Sequence, residues 1–198
     1  DVFCSLDGKQ KSYCTPEAYR GETCWLVRNR GNGTFEDVAA TWRIFASSSK
    51  SRGVALLDDD HDGWPDIFVA NDTQPNKLYR NQRNGRFKDV ALQAGVALSD
   101  DGKARAGMGV DAADFHNSGR TGLAVTNFDN EMIGLYRPQD QGLYQDVARR
   151  AGIGGPSLNR LGRPRCVNGA ITMLAPGPRA RSSSAKRRGA PPPSRLPP

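Results

Sequence analysis

The sequence predicts an all-β protein, an incomplete β-propeller of four-stranded antiparallel blades with a disordered C-terminal tail. Three observations indicate this fold: a segment present in three copies, short apolar runs rich in β-branched residues, and Asn-Gly turns between them. Aligned on Asp37, Asp89 and Asp146, the copies are 52 and 57 residues apart, which is within the range of propeller repeats. Four consecutive short strands make one propeller blade.

The predicted strands fall into two complete sets of four. Tight turns such as Asn84-Gly85 join the third and fourth strands, because Asn and Gly tolerate the positive φ that these turns need. The strands are expected at 53–57, 67–70, 77–81, 86–90, 108–113, 123–127, 133–137 and 143–147.

The chain divides into three parts. Residues 1–23 are a polar N-terminal loop segment, in which a Cys4–Cys14 disulfide is one alternative and free thiols are the other. Residues 155–198 are a basic low-complexity tail rich in Pro, Arg and Ser, which buries too little apolar surface to fold. The blades lie between them, at 24–154: a half blade at 24–39, a blade at 53–91 and a blade at 107–148.

The net charge of +7 arises from the tail. Residues 1–159 hold 19 Lys and Arg against 21 Asp and Glu, whereas residues 160–198 hold nine basic residues and no acidic one. We therefore expect no nucleic-acid partner; a basic arm that binds nucleic acid is disfavoured because no aromatic residue lies among its charges. No run of about 18 apolar residues predicts a membrane span, and no signal peptide is visible in a chain that begins with Asp1.

A loop of nine residues, Asp58 to Asp66, joins the first two strands of the blade at 53–91. It carries carboxylates at alternate positions, a glycine at the sixth position and a last carboxylate after the turn. Because Ca²⁺ takes six to eight oxygen ligands, this spacing predicts a calcium site, with a solvated acidic turn as the alternative. An EF-hand is excluded, since its twelfth position is Val69 and the flanks read as strands. The expected ligands are the side chains of Asp58, Asp60, Asp62 and Asp66 and the carbonyl of Trp64.

The second blade carries a degenerate copy of this loop. Aligning Gly119 with Gly63 sets Asp114 against Asp58, but the remaining ligand positions become His116, Ser118 and Gly122. One carboxylate of four is too few to hold Ca²⁺ without other help. No nucleophile elbow, Cys-His pair or glycine-rich phosphate loop is visible either, so we predict that the chain is not an enzyme.

The ordered combination of these motifs resembles the FG-GAP/VCBS repeat, and more closely the cartilage acidic protein and ASPIC/UnbV group of secreted proteins. The resemblance covers roughly residues 3–160 and is carried by the loop at 58–66 followed by Leu78-Tyr79-Arg80-Asn81 and Asp89-Val90-Ala91. It implies an integrin-α-like propeller with calcium in the hairpin loops. Cys24 and the sequence after Gly162 depart from the pattern, and we hypothesise a truncated or frame-shifted fragment that lacks the remaining blades.

The expected function is that of a calcium-stabilised binding module in an extracytoplasmic protein, whether secreted, periplasmic or on the cell surface. Its partner would be a protein or a glycan bound at the propeller face. Two alternatives remain: an accessory or catalytic propeller of a polysaccharide-processing enzyme, and a fragment without autonomous function. We also expect uncovered apolar faces at 24–38 and on the outer side of the blade at 108–147, and hence self-association.

Overall fold

The computed structural model describes residues 2–5, 7–128 and 130–158; the predicted tail lies outside this part of the chain from residue 159 onward. Its regular structure is almost entirely antiparallel β, so the predicted fold class is confirmed. The strands and short helices are β1 Val27–Asn29, β2 Phe35–Asp37, β3 Ser51–Leu57, β4 Asp66–Asn71, β5 Lys77–Asn81, β6 Phe87–Asp89, α1 Ala91–Ala94, β7 Gly107–Ala113, β8 Gly122–Asn127, β9 Gly134–Pro138, β10 Tyr144–Asp146 and α2 Gly154–Ser157.

Two four-stranded sheets form the blades, and each follows the order of the chain. Strands β3, β4, β5 and β6 make the first blade, and β7, β8, β9 and β10 make the second, with every neighbouring pair antiparallel. Strands β1 and β2 pair with each other as a separate two-stranded sheet. This arrangement follows from the sequence, because short connections between consecutive apolar runs allow only hairpins.

The two blades meet closely at their first strands, β3 and β7. A Cβ atom on Gly53 would lie 3.1 Å from the backbone nitrogen of Val110 and 3.2 Å from the Cα of Gly109, so glycine is what permits this approach. Both strands carry a register shift at the same place, between Ser51 and Gly53 and between Gly107 and Gly109. Such bulges bend a strand and increase its twist. The first strands therefore define an inner edge at which the blades converge, as in a propeller.

The main core lies between the two blades. Phe68 and Leu78 of the first blade and Leu123 of the second are completely buried there, and Val96 after α1 joins them. Burying each such side chain contributes about 1.5–3 kcal/mol relative to leaving it exposed. A second cluster joins the half blade to the other face of the first blade, where Ile44 packs with β4 and β5.

The uncovered apolar surfaces differ in part from the prediction. Phe35 remains exposed on the half blade, as expected. The outer face of the second blade is instead covered locally, because Leu135 and Ala124 are buried against a cluster that includes Ile153. That part of the prediction was wrong. The structure also exposes an apolar pair on β3 that was not anticipated: Val54 and Leu56 are 62% and 65% exposed.

The segments that flank the blades are more ordered than the sequence suggests. Cys4 and Cys14 form a disulfide, which confirms that alternative for the N-terminal segment. Cys24 is a free, half-buried thiol whose Sγ lies 2.7 Å from the Ser51 hydroxyl. Residues 155–158, assigned to the tail from composition, form most of α2 and its C-terminal end, so the described structure extends past Gly154.

Candidate metal centre

The loop between β3 and β4 folds around the side chain of Asp58. One carboxylate oxygen accepts the Asp62 N–H at 3.0 Å and the other accepts the Gly63 N–H at 2.9 Å. The chain can turn this sharply because His61 and Gly63 adopt φ of 57° and 82°, a conformation that costs least at glycine. The glycine at the sixth position is thus explained by the backbone of the loop.

Asp66 closes the loop from the first position of β4. Its side chain is buried and accepts the N–H groups of Asp59 and Asn81, each at 2.7 Å. Burial raises the pKa of Asp66 to about 6, and the neighbouring charges of Asp59 and Asp60 act in the same direction, against the two N–H donors. A carboxylate in this state gains from a nearby cation, since the cation offsets both the burial and the like charges.

Three of the predicted ligands converge. One carboxylate oxygen from each of Asp58, Asp60 and Asp66 lies within 4.8 Å of the others. Calcium–oxygen distances are about 2.3–2.6 Å, so two ligands on opposite sides of one ion are roughly 4.6–5.2 Å apart. The three oxygens therefore fit around a single ion. Their chemistry, hard anionic oxygens without nitrogen or sulfur, suits Ca²⁺ better than the metals that prefer His or Cys.

The remaining two predicted ligands are not part of this group. Asp62 accepts the Arg83 Nε–H at 2.6 Å and the Trp64 N–H at 2.8 Å. The Arg83 hydrogen bond, with the Trp64 N–H second, lowers the pKa of Asp62, which stays ionised well below neutral pH. The roles of Asp62 and of the Trp64 carbonyl as ligands stay predictions.

Asp59 has a structural role that the sequence did not reveal. It alternates with the ligands, and its side chain is buried, where it accepts the Arg80 Nε–H at 2.9 Å. The other carboxylate oxygen, Oδ1, has no hydrogen-bond partner among the described residues. Tyr144 of the second blade lies nearby, and burial, followed by the Asp59 charge, raises the pKa of its hydroxyl. Asp59 thus carries the loop's charge into the interface between the blades.

The second loop keeps the turn without the ligands. Asp114 accepts the Ser118 N–H at 3.0 Å and the Gly119 N–H at 2.6 Å, which repeats the bonds of Asp58. Asn117 and Gly119 have φ of 53° and 77°, close to the values of their counterparts in the first loop. The same turn thus forms in the second loop without carboxylates at the other three positions, so the turn alone does not require them.

An aromatic ring fills the corresponding space in the second loop. Gly122 stands where the first loop has Asp66, and a Cβ there would lie only 2.1 Å from a ring carbon of Phe115. Phe115 itself aligns with Asp59. The carboxylates of Asp59 and Asp66 in the first loop are therefore replaced in the second loop by the phenyl ring of Phe115 and the hydrogen atom of Gly122. Apolar packing takes the place of the acidic cluster in this blade.

Family comparison agrees with this repeat structure. The model of the FG-GAP-like repeat matches residues 6–69 and again residues 58–125, which together cover more than half of the chain. The chain belongs to the FG-GAP-like repeat family. The family resemblance inferred from the sequence is thereby confirmed, and the strands of these FG-GAP-like repeats form integrin-like propeller blades.

Curated relatives of this FG-GAP-like chain include cartilage acidic protein 1 from three vertebrates. The Mus musculus protein is 35% identical over 101 residues, which is 51% of this chain and 15% of the relative. The Homo sapiens protein is 40% identical over 70 residues (34% and 11%), and that of Xenopus tropicalis 39% over 72 residues (35% and 11%). The chain thus spans at most about a seventh of their length. None of its helices, as far as residue 158, is long and apolar enough to span a bilayer.

Proposed function

We propose that the chain is a calcium-binding β-propeller module of an extracytoplasmic protein, which binds a protein or glycan ligand and performs no catalysis itself. The observation that carries the calcium proposal is the group of three aspartate oxygens within 4.8 Å of one another. One of the three, Asp66, is buried and has a pKa raised to about 6. Acidity of this kind, concentrated on one turn, is best balanced by a divalent cation.

The residues that would hold the ion are Asp58, Asp60 and Asp66, joined by Asp62 and the Trp64 carbonyl. A bound Ca²⁺ would neutralise the clustered carboxylates and link them through shared oxygen ligands. Asp66 already connects three strands, since it begins β4, accepts the Asp59 N–H just after β3 and accepts the Asn81 N–H at the end of β5. The loop therefore joins β3, β4 and β5 at one end of the first blade, which we call its rim. A bound ion would add stability and rigidity to this rim.

The extracytoplasmic location is supported by two observations. The Cys4–Cys14 disulfide belongs to the oxidising environments outside the cytosol. The matched relatives are named after cartilage, and between a third and a half of this chain aligns with each of them. Calcium concentrations outside cells also suit an exposed acidic loop, for which micromolar to millimolar affinity is ordinary.

Two features of the blades support the proposed binding role. The family assignment supports a propeller, a scaffold that commonly presents a ligand surface, although the fold by itself does not define the ligand. Half-exposed Trp64 in the calcium loop supplies an aromatic surface beside the acidic cluster. Tryptophan is enriched in protein interfaces, because a large rigid ring contacts a partner at low entropic cost.

The calcium proposal is tested by thermal unfolding and titration calorimetry. At a Ca²⁺ concentration of 100 times Kd, binding to the native state stabilises it by about 2.7 kcal/mol, which raises Tm by roughly 5–10 °C for a domain of this size. Asp60→Ala with Asp62→Ala should abolish the rise, whereas Mg²⁺ should substitute poorly. Glu17→Ala with Asp100→Ala removes two exposed charges elsewhere and serves as the control. An unchanged response in the double loop variant would place the metal somewhere else.

The ligand proposal is tested on an array of glycans and extracellular matrix proteins, probed in 2 mM Ca²⁺ (a concentration on the order of extracellular levels) and again in EGTA. We expect at least one class of ligand to be retained with calcium and released by EGTA, because the calcium loop orders the rim of the blade. The Asp60→Ala, Asp62→Ala variant should lose the same binding. Retention that is equal in both buffers would separate ligand binding from the calcium loop.

A further inference from the structure

Arg83 lies in the turn between β5 and β6 of the first blade. The half blade, which is the first repeat in the chain, has the equivalent turn between β1 and β2 and provides a direct comparison. In the half blade, the Gly31 N–H donates to the Asn29 side chain at 2.8 Å. In the first blade, the Arg83 N–H donates to the Asn81 side chain at 2.9 Å. The φ values of Gly31 and Arg83 are 79° and 57°, so the two turns share one backbone conformation.

The turn itself does not require an arginine. Left-handed backbone is freely accessible to glycine and disfavoured for a long side chain, so the residue in the first repeat is the one that suits the geometry. Arg83 occupies the same position at a conformational cost. A contact made by its side chain is the feature that distinguishes it from Gly31.

That contact is with a predicted calcium ligand. The Arg83 Nε lies 2.6 Å from Oδ2 of Asp62, and the pair joins two loops that are 21 residues apart in sequence. The Asp62 side chain is only 8% exposed, whereas 57% of the Arg83 side chain is exposed. The guanidinium therefore covers the carboxylate from the solvent side, and it can swing into water without disturbing the core.

A second guanidinium near the loop, that of Arg80, is placed differently. Arg80 is bound to the buried Asp59, and its side chain is only 25% exposed. It also lies 3.5 Å from Asp60, so it remains beside the acidic cluster. Arg80 is thus a fixed part of the blade interface, and of the two arginines it is Arg83 that can move away from the loop.

We propose that Arg83 is a built-in competitor of the metal: its guanidinium holds Asp62 in the calcium-free loop and must withdraw before Asp62 joins the ion. This inference rests on the calcium function proposed above and specifies what limits the affinity of that site. An ion pair that has to be broken during binding subtracts from the free energy of binding, and Arg83 also adds positive charge beside a cation site.

Two substitutions taken from the first repeat make a matched test. Arg83→Gly and Arg86→Thr each install the residue found at the same place in that repeat, Gly31 or Thr34, and each removes one positive charge. Arg86 is exposed and forms no ion pair within the described residues. Calcium Kd is measured by titration calorimetry at low salt and in 0.5 M KCl, which shortens the Debye length to a few ångströms (about 4 Å).

We expect Arg83→Gly to bind Ca²⁺ roughly two- to fivefold more tightly than the parent chain, the range that a broken exposed ion pair accounts for. Arg86→Thr should stay within about 1.5-fold of the parent, and the advantage of Arg83→Gly should shrink in KCl. The Arg83 Nε–H signal in NMR spectra, identified by its loss in Arg83→Gly, should shift and exchange faster with water when Ca²⁺ is added.

Three outcomes overturn the inference. Equal affinity of Arg83→Gly and Arg86→Thr would mean that the ion pair does not oppose binding, while leaving the calcium proposal intact. Weaker binding by Arg83→Gly would mean that Arg83 positions Asp62 for the metal instead. An absence of calcium binding in the parent and both variants would remove the calcium proposal as well, so the two failures are distinguishable.

Discussion

Acidification should weaken calcium binding because a proton competes with the ion for Asp66. Burial raises the pKa of this side chain to about 6, whereas the Arg83 hydrogen bond lowers the pKa of Asp62. With one competing proton of pKa about 6, the fraction of ionised Asp66 falls from about nine tenths at pH 7 to about one tenth at pH 5. The apparent calcium Kd should therefore rise about tenfold between pH 7 and pH 5.

The assay is titration calorimetry at pH 7, 6 and 5, repeated in two buffers whose ionisation enthalpies differ. The difference in measured heat counts the protons released, and about half a proton per Ca²⁺ is expected at pH 6. Asp66→Asn provides the comparison, since it should bind more weakly at every pH and release no proton from this position.

Stability without calcium should show the opposite dependence on pH. The pKa of Asp66 is higher in the folded chain than in the unfolded chain, so the folded state holds the proton more strongly. The resulting stabilisation is present below about pH 4 and is lost as pH rises through 6, by about 1–2 kcal/mol once screening by solvent is allowed for. A Kd that changes less than twofold, together with a flat calcium-free stability between pH 5 and 7, would refute this account of Asp66.

Three further predictions concern the fold. Leu78→Ala removes a fully buried side chain between the blades and should lower the free energy of unfolding by about 2–5 kcal/mol in urea titrations. Arg80→Met leaves the buried Asp59 carboxylate unpaired and should cost about 2–4 kcal/mol, much of which Asp59→Asn should restore in the double variant. The exposed pair on β3 should cause self-association, visible by size exclusion with light scattering, and Val54→Ser with Leu56→Ser should reduce it.

Each of these has a control within the chain. Leu92→Ala changes a leucine that is 73% exposed and should cost less than about 1 kcal/mol; an equal loss at both leucines would contradict the proposed core. If the Arg80 and Asp59 changes were simply additive, the two side chains would not act as a pair. A monodisperse monomer with one sharp transition in the parent chain would mean that the β3 face does not drive association.

The sequence predicts the blades well because the information is local and repeated. Apolar β-branched runs and Asn-Gly turns determine each hairpin from neighbouring residues. The spacings of 52 and 57 residues between copies then show that the same hairpins are repeated along the chain. The same is true of the loop at 58–66, whose alternate carboxylates and sixth-position glycine specify a turn with inward-pointing oxygens. Two predicted ligands lie outside the converging group. The position of the Asp62 side chain depends on Arg83 in a second loop, and the role of Trp64 depends on the orientation of its backbone carbonyl.

The two arginine contacts that the sequence did not reveal depend on register. Arg83 reaches Asp62, and Arg80 reaches Asp59, across 21 residues in each case, because β4 and β5 pair with Ile67 opposite Tyr79. A shift of one residue would turn Arg80 to the other face of the sheet and move the turn that carries Arg83 away from Asp62. Local patterns do not encode that register, which packing of the two blade faces selects.

Because Phe115 fills the second loop, the stability of that loop does not depend on calcium in solution, whereas the stability of the first loop would. The Phe115 ring is part of the chain and is present in any solution. A bound ion, in contrast, dissociates when the free ion concentration falls. On the calcium proposal, a drop in calcium would therefore loosen the rim of one blade and leave its neighbour unchanged. The molecule would respond asymmetrically, with the hairpin at 58–66 as the part that senses its environment and the hairpin at 114–122 as a fixed reference beside it.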